Sequence, residues 1–286
     1  MPNTIGQKII LFVSSITFML GAVPVFAKAV APEPAAVGQG AILTERRLAV
    51  TDARKFTLPL REKLVYRMKW MGITAGELTS EIQGLGKWRG HKAYRIVVRA
   101  RTVGLCSKLY RIDDRYVSYL DAEELHTLRH EVHRREGAYR KDAVTDFDQV
   151  AHKAYFTSLT DGSRKVYTIP PHTQDTVTAA YYSRFLPLEP GRLFDLRVSN
   201  SENNYELFLK IHQRHKRVLL GKEREVFLFR PYARQAGQPV RAGRLSGYIS
   251  ADSTREPLQV VIRAPVFTSV VATLVRAERR GEQVIR

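Results

Sequence analysis

Apolar and polar residues alternate with a period of two along most of the chain, as in strands that turn one face to a core. Leu64, Tyr66, Met68 and Trp70 alternate with Val65, Arg67 and Lys69, which places the first strand soon after Phe56. Gly72 and Gly76 mark a bend before Leu78–Ile82, and Gly84 to Gly90 reads as a turn. A nucleotide loop is excluded there, because the third glycine is misplaced and no helix follows. Tyr94, Ile96, Val98 and Ala100 face away from Arg95, Arg99 and Arg101. The pattern returns through Tyr110 to Tyr119, in hairpins over 128–141 and 154–169, and in further strands as far as Val275. About a dozen strands at this spacing predict a mainly β protein: a curved antiparallel sheet, either an open barrel or a sandwich.

One stretch departs from this period. After Pro170 and Pro171, Val177, Ala180, Tyr181 and Phe185 follow helical spacing, with Thr173 or Asp175 as the cap and Pro187, Pro190 and Gly191 as the stop. A single helix near 174–186 is expected, packed on the sheet by that stripe.

The N-terminus changes the picture of where the protein works. Lys8 precedes an apolar run from Ile9 to Val23, and Val25 and Ala27 are spaced for signal-peptidase cleavage after Ala27. The expected organisation is a signal peptide over 1–27, a linker over 28–55 rich in Pro, Ala and Gly, one β domain over 56–276 and a charged tail over 277–286. An uncleaved membrane anchor is the alternative for the first segment. Exported in this way, the protein is expected in the periplasm. The chain carries +18, with 32 Arg and 14 Lys. Cleavage removes one Lys and leaves +17 (18 − 1). Such a surface suits anionic partners, although Arg enrichment also arises without selection for binding. Cys106 is the only cysteine, so the fold relies on its core and has no internal disulfide.

Five separated blocks carry a resemblance: Glu62–Glu77, Tyr110–Arg115, Glu136–Lys141, Ile169–Asp175 and Leu186–Gly191. Through them the chain, from Phe56 to Val275, resembles the DUF3108 family of exported bacterial proteins. The resemblance implies an envelope protein of Gram-negative bacteria with a mostly antiparallel β fold, and it brings no catalytic residues with it. A looser likeness of architecture alone is to periplasmic lipoprotein carriers, in which a curved sheet wraps an apolar cavity.

The residues offer four candidate chemistries. Tyr66, Trp70, Tyr181, Tyr182 and Phe185 would line a cavity for an apolar ligand if the sheet curls without filling, and are core if it fills. Lys210, His212, Arg214 and Lys216 would share one strand face and suit a row of phosphates or uronates, or would simply keep an outer face charged. Asp142, Asp146 and Asp148 are the acids a polysaccharide hydrolase would use, with surface ion pairing as the plainer reading. His126, His130, Glu131 and His133 approach a zinc donor set, but a strand would turn His130 and His133 to opposite faces. No metal and no cofactor is expected.

The expectation from sequence is therefore a non-enzymatic envelope protein that binds an anionic or amphiphilic envelope component, whether lipid, polysaccharide or acidic protein. Peripheral membrane contact is compatible with it. Nucleic acid is disfavoured, because the basic run lacks interleaved aromatics. A hydrolase of envelope polysaccharide and an assembly protein docking on an acidic partner are the alternatives.

Overall fold

A computed structural model describes residues 57–200, 203–219, 221–240, 244–263, 269–279 and 282–285. The expected signal peptide and the whole of the expected linker, 28–55, fall outside them. In chain order the strands are β1 (Lys63–Trp70), β2 (Ile73–Trp88), β3 (His91–Thr102), β4 (Asp113–Asp121), β5 (Thr127–Glu136), β6 (Tyr139–Asp148), β7 (Lys153–Ser158) and β8 (Arg164–Thr168). They continue with β9 (Leu193–Asn200), β10 (Asn203–Leu219), β11 (Lys222–Gln235), β12 (Gln238–Pro239), β13 (Arg244–Ser250), β14 (Pro257–Arg263), β15 (Ser269–Arg279) and β16 (Glu282–Ile285). Helix α1 (Gly104–Leu109) joins β3 to β4, and α2 (Thr176–Tyr182) lies between β8 and β9.

All strands belong to one antiparallel sheet, ordered β8-β7-β6-β5-β4-β3-β2-β1-β15-β14-β13-β11-β10-β9, with β12 on β11 and β16 on β15. Two meanders thus run outward from the pairing of β1 with β15. Of the two expected architectures, this is the open barrel: a single curved sheet whose ends, β8 and β9, do not pair. The segment before α2 crosses the gap. Gln174 donates its N–H to Arg197 O (2.8 Å) and accepts from Ser199 N (2.8 Å), and the Tyr167 and Ser199 hydroxyls meet at 2.9 Å.

Register explains the core. Tyr66 lies opposite Leu78, and Leu78 opposite Ala100; Ser80, Val98, Tyr116 and Val132 form a second row. These residues share the concave face, where most are buried, while the intervening Arg, Lys and Glu point outward. The antiparallel order also sorts the turns. Those of β1–β2, β3–β4 with α1, β5–β6 and β7–β8 lie at one rim, and those of β2–β3, β4–β5 and β6–β7 at the other.

Three expectations are corrected. Helix α2 is shorter than 174–186, because Ser183 caps it and residues 183–185 form a turn. A second helix, α1, interrupts the expected strand succession at Gly104, where φ is +58°. Finally, part of the charged tail expected over 277–286 is in strand, since β15 continues to Arg279 and Glu282–Ile285 pairs back on it. Alternation of Val270, Ala272 and Leu274 against Lys63–Trp70 of β1 carries the ladder further than the charge of the tail suggested.

Candidate functional site: a helix-capped apolar cavity

Asp175 is the residue that seats α2. Its side chain accepts from Val177 N (2.7 Å) and Thr178 N (3.0 Å), and Thr178 Oγ1 accepts from Asp175 N (2.9 Å), closing a capping box. The same carboxylate accepts from Ser118 Oγ of β4 (3.0 Å) and Thr127 Oγ1 of β5 (3.2 Å). His130 Nδ1 stands 2.9 Å from Ser118 Oγ and 3.5 Å from Asp175 Oδ1. A fully buried carboxylate that accepts four hydrogen bonds has its desolvation offset, so the helix start is locked to β4 and β5.

The other end is locked by charge. Arg184, 1 % exposed, forms a two-pronged pair with Glu62, 0 % exposed, at 2.5 and 3.0 Å, and also donates to Thr254 O at 2.8 Å. Arg279 joins Glu62 at 3.7 Å and pairs closely with Glu256. Two cations and two anions thereby balance in the core. Between the two locks, Tyr181 shares a 2.7 Å hydrogen bond with Ser80 of β2. Burial pushes the Tyr66 and Tyr181 phenols well above their ordinary range, so both stay neutral.

Beside α2 lies a cavity of about 240 Å³. One wall is Leu64, Tyr66, Leu78 and Val98 from β1–β3; the other includes Leu196, Leu207, Leu209, Phe229, Leu245 and Val260 from β9–β14. Thr176, Ala179 and Ala180 of α2, with Ser183 and Arg184 of the turn that follows it, form its side. The second wall needs Gly247: a Cβ there would fall 2.5 Å from the Phe229 ring. The lining is almost wholly apolar, and an apolar cavity of about 150 Å³ already accepts a benzene-sized guest.

The sequence-derived aromatics divide between cavity and core. Tyr66 and Tyr181 line the cavity, whereas Trp70, Tyr182 and Phe185 pack in the hydrophobic clusters around it. Ala180 departs from its expected place in the packing stripe. It is exposed and borders the cavity, while Val177 and Tyr181 carry the packing.

The basic row is broken. A bulge between Ile211 and Arg214 shifts the register of β10 on β11, so Arg214 and Lys216 share the face of Phe227 and Glu225 while Lys210 faces the other way with Arg230. His212 sits in the bulge, and burial with nearby Arg230 and Lys210 lowers its pKa. Arg214 pairs with Glu225, and Lys216 with Glu223 at 3.0 Å.

The three acids lie apart from the cavity. Asp142 is held by Arg135 (2.8 Å) and His133 (2.8 Å), which depress its pKa. Asp146 is held by Arg129 (3.0 Å) and Arg89 (3.3 Å), and Asp148 accepts the turn amides of Val150 and Ala151. The histidines separate too. His130 faces inward beside Asp175, His133 outward beside Asp142, and His126 lies 5.9 Å, ring to ring, from His172; Glu131 pairs with Arg129. Among the described residues no three His, Cys, Asp or Glu are placed to hold a metal. Cys106 is half-buried on α1, and burial raises its pKa.

The residues missed from sequence are Glu62, Arg184, Glu256 and Arg279, together with the apolar wall from β9 to β14. Single charges inside apolar patterns were the one available signal. Their pairing spans 122 residues between Glu62 and Arg184, a separation that no local pattern encodes.

Fold and site define a class: a single-sheet open β-barrel with a helix seated in it beside an apolar cavity. The chain belongs to the family described as "Protein of unknown function (DUF3108)", whose model matches residues 65–275. Among solved structures it is similar to a β-barrel-like protein of the DUF1849 domain from Brucella abortus, at 9% identity and TM-score 0.54, covering 78% of this chain and 99% of that one. It also matches a candidate lipoprotein from Parabacteroides distasonis (5% identity, TM-score 0.35, 78% and 97% covered) and a candidate exported protein with a YmcC-like fold from Bacteroides fragilis (10%, 0.30, 78% and 98%). The first likeness supports the fold alone, and the other two are too distant to add to it. No curated protein matches.

Proposed function

We propose that this is an exported envelope protein that holds the apolar part of an amphiphile in the cavity between α2 and strands β9–β14. The observation that carries the reading is the cavity itself, about 240 Å³ in volume and apolar on both walls. Buried apolar surface left without a partner forfeits dispersion contacts, and an apolar guest restores them. Ser80, Tyr181, Ser183 and Arg184 supply a few polar groups at its edge, the composition expected of a site that orients one end of a ligand. Export rests on the leader pattern ahead of Ala27, and a periplasmic place for the protein follows from it.

The reading is one of binding. The carboxylates available to a hydrolase, Asp142 and Asp146, are engaged by Arg135, His133, Arg129 and Arg89 away from the cavity.

Native mass spectrometry of the protein isolated from the envelope without detergent, followed by lipid extraction, tests the proposal. A co-purified phospholipid or glycolipid is expected, and Ala180→Trp, which occludes the cavity, should abolish it. Protein that emerges ligand-free and gains no lipid on incubation with envelope extract would sink the idea.

A further inference from the structure

The first rim of the barrel carries an apolar surface that the cavity does not use. Met71 and Ile73 flank the β1–β2 turn at 60 % and 59 % exposure, and Leu105 and Leu109 of α1 are 66 % and 57 % exposed. The two pieces adjoin, because Val103 N donates to Ala75 O at 3.0 Å and Gly76 lies opposite Thr102. No residue of α1 is buried; Cys106 and the following Tyr110 touch the core, which leaves Leu105 and Leu109, four apart, on the outward side. Lys69, Lys108 and Arg111 are exposed around these four side chains. Of the nearby acids, Glu77 is bound to Arg101 at 2.8 Å, Asp114 is fully buried, and Asp113 is half-buried opposite Arg101.

From this arrangement we propose that the rim formed by the β1–β2 turn and α1 docks on an anionic phospholipid bilayer, with Met71, Ile73, Leu105 and Leu109 entering the interface and Lys69, Lys108 and Arg111 meeting phosphate groups. Exposed apolar side chains ringed by cations on protruding turns match a soft, negatively charged interface. Charge complementarity selects this occupant over a second copy of the chain, since like cations would then be brought together. The cavity wall spans the barrel, from Leu64, Ile249 and Pro257 near the opposite rim to Leu207 near the start of β10, Leu245 near the start of β13 and Pro231 near the end of β11, which the antiparallel order places toward this one. The docking proposal stands without the cavity reading, because vesicle binding is read whether or not lipid co-purifies.

Co-sedimentation of the exported protein with phosphatidylglycerol/phosphatidylethanolamine vesicles, against pure phosphatidylcholine vesicles, is the test. Binding to the anionic vesicles is expected, weakened by salt. The pair Leu105→Gln/Leu109→Gln should reduce partitioning about tenfold or more at an unchanged melting temperature. Met71→Gln/Ile73→Gln should do the same, so the outcome does not hang on the integrity of α1. Lys69→Gln/Lys108→Gln should remove much of the salt dependence. Failure to bind anionic vesicles would overturn the proposal, as would apolar variants that bind like the parent, which would mark a generic basic surface. A parent dimer that becomes monomeric on Leu105→Gln/Leu109→Gln would also overturn it, showing that a second copy covers the rim.

Discussion

Helix α2 meets two walls of one sheet, and the chemistry of the two meetings differs. Toward β1–β5 it is held by directional bonds: Asp175 to Ser118 and Thr127, Tyr181 to Ser80, and Arg184 just beyond it to Glu62. Toward β9–β14 the body of the helix makes apolar contact, with Ala179 and Leu186 clustered with Phe194, Leu196, Leu209 and Phe229, and the directional bonds on that side lie only at its two ends, from Gln174 to Arg197 and Ser199 and from Arg184 to Thr254 O. Hydrogen bonds and a buried ion pair fix a distance, whereas apolar contact alone does not. A helix pinned to one wall need not close completely on the other, and the cavity lies where the pins do not reach. Rigidity on one side thus makes room on the other.

The comparison can be broken or sharpened by measurement. The largest effect is expected from Glu62→Ala, which leaves Arg184 charged and uncompensated in the core; a loss of about 3–5 kcal/mol in urea unfolding follows. Glu62→Leu combined with Arg184→Met should recover most of it, since an apolar pair of similar volume avoids both desolvation and orphaned charge. Next, Asp175→Ala removes a helix cap and the acceptor for two buried hydroxyls, at about 2–3 kcal/mol. If it cost nothing, the directional wall would not be what seats α2.

Acid titration probes the same side. Burial lowers the pKa of His126 to about 4, with Asp121 opposing. A base whose folded pKa is depressed contributes stability above its unfolded value, and that contribution is lost as pH falls from about 6.5 toward 4. Burial raises Asp114 to about 7 beside Glu136, and the sign reverses: its contribution is present at low pH and lost as pH rises from about 4 to 7. His126→Gln should therefore flatten the acid limb of stability by about 1 kcal/mol at pH 5.5, and Asp114→Asn should flatten the decline toward neutrality. The smallest effect is at the open wall. Ala180→Phe should fill the cavity and, without ligand, change stability by about 1 kcal/mol or less, in the stabilising direction where the ring fits. A large destabilisation would mean that the second wall is as tightly packed as the first.

Much of the fold was legible. Alternation located the strands because each turns one face inward, and the Pro-rich flanks of Ile169–Gly191 located the helix. Its cap was narrowed to Thr173 or Asp175, and the structure selects Asp175. The site was legible only in part. Tyr66 and Tyr181 were found through aromatic character, but the β9–β14 wall consists of ordinary Leu, Phe and Val residues indistinguishable from core. The row Lys210–Lys216 failed because a bulge is a two-residue event that alternation does not register.

Period-two patterning and turn residues were sufficient by themselves to determine a mainly β chain with one helix seated on the sheet, because these are local properties of neighbouring residues. Tertiary structure decided that the sheet stays open, that Glu62 meets Arg184, and that α2 leaves a cavity on one side. Those outcomes depend on which distant strands curl to face each other, and on whether the side chains that meet there can bond or only touch.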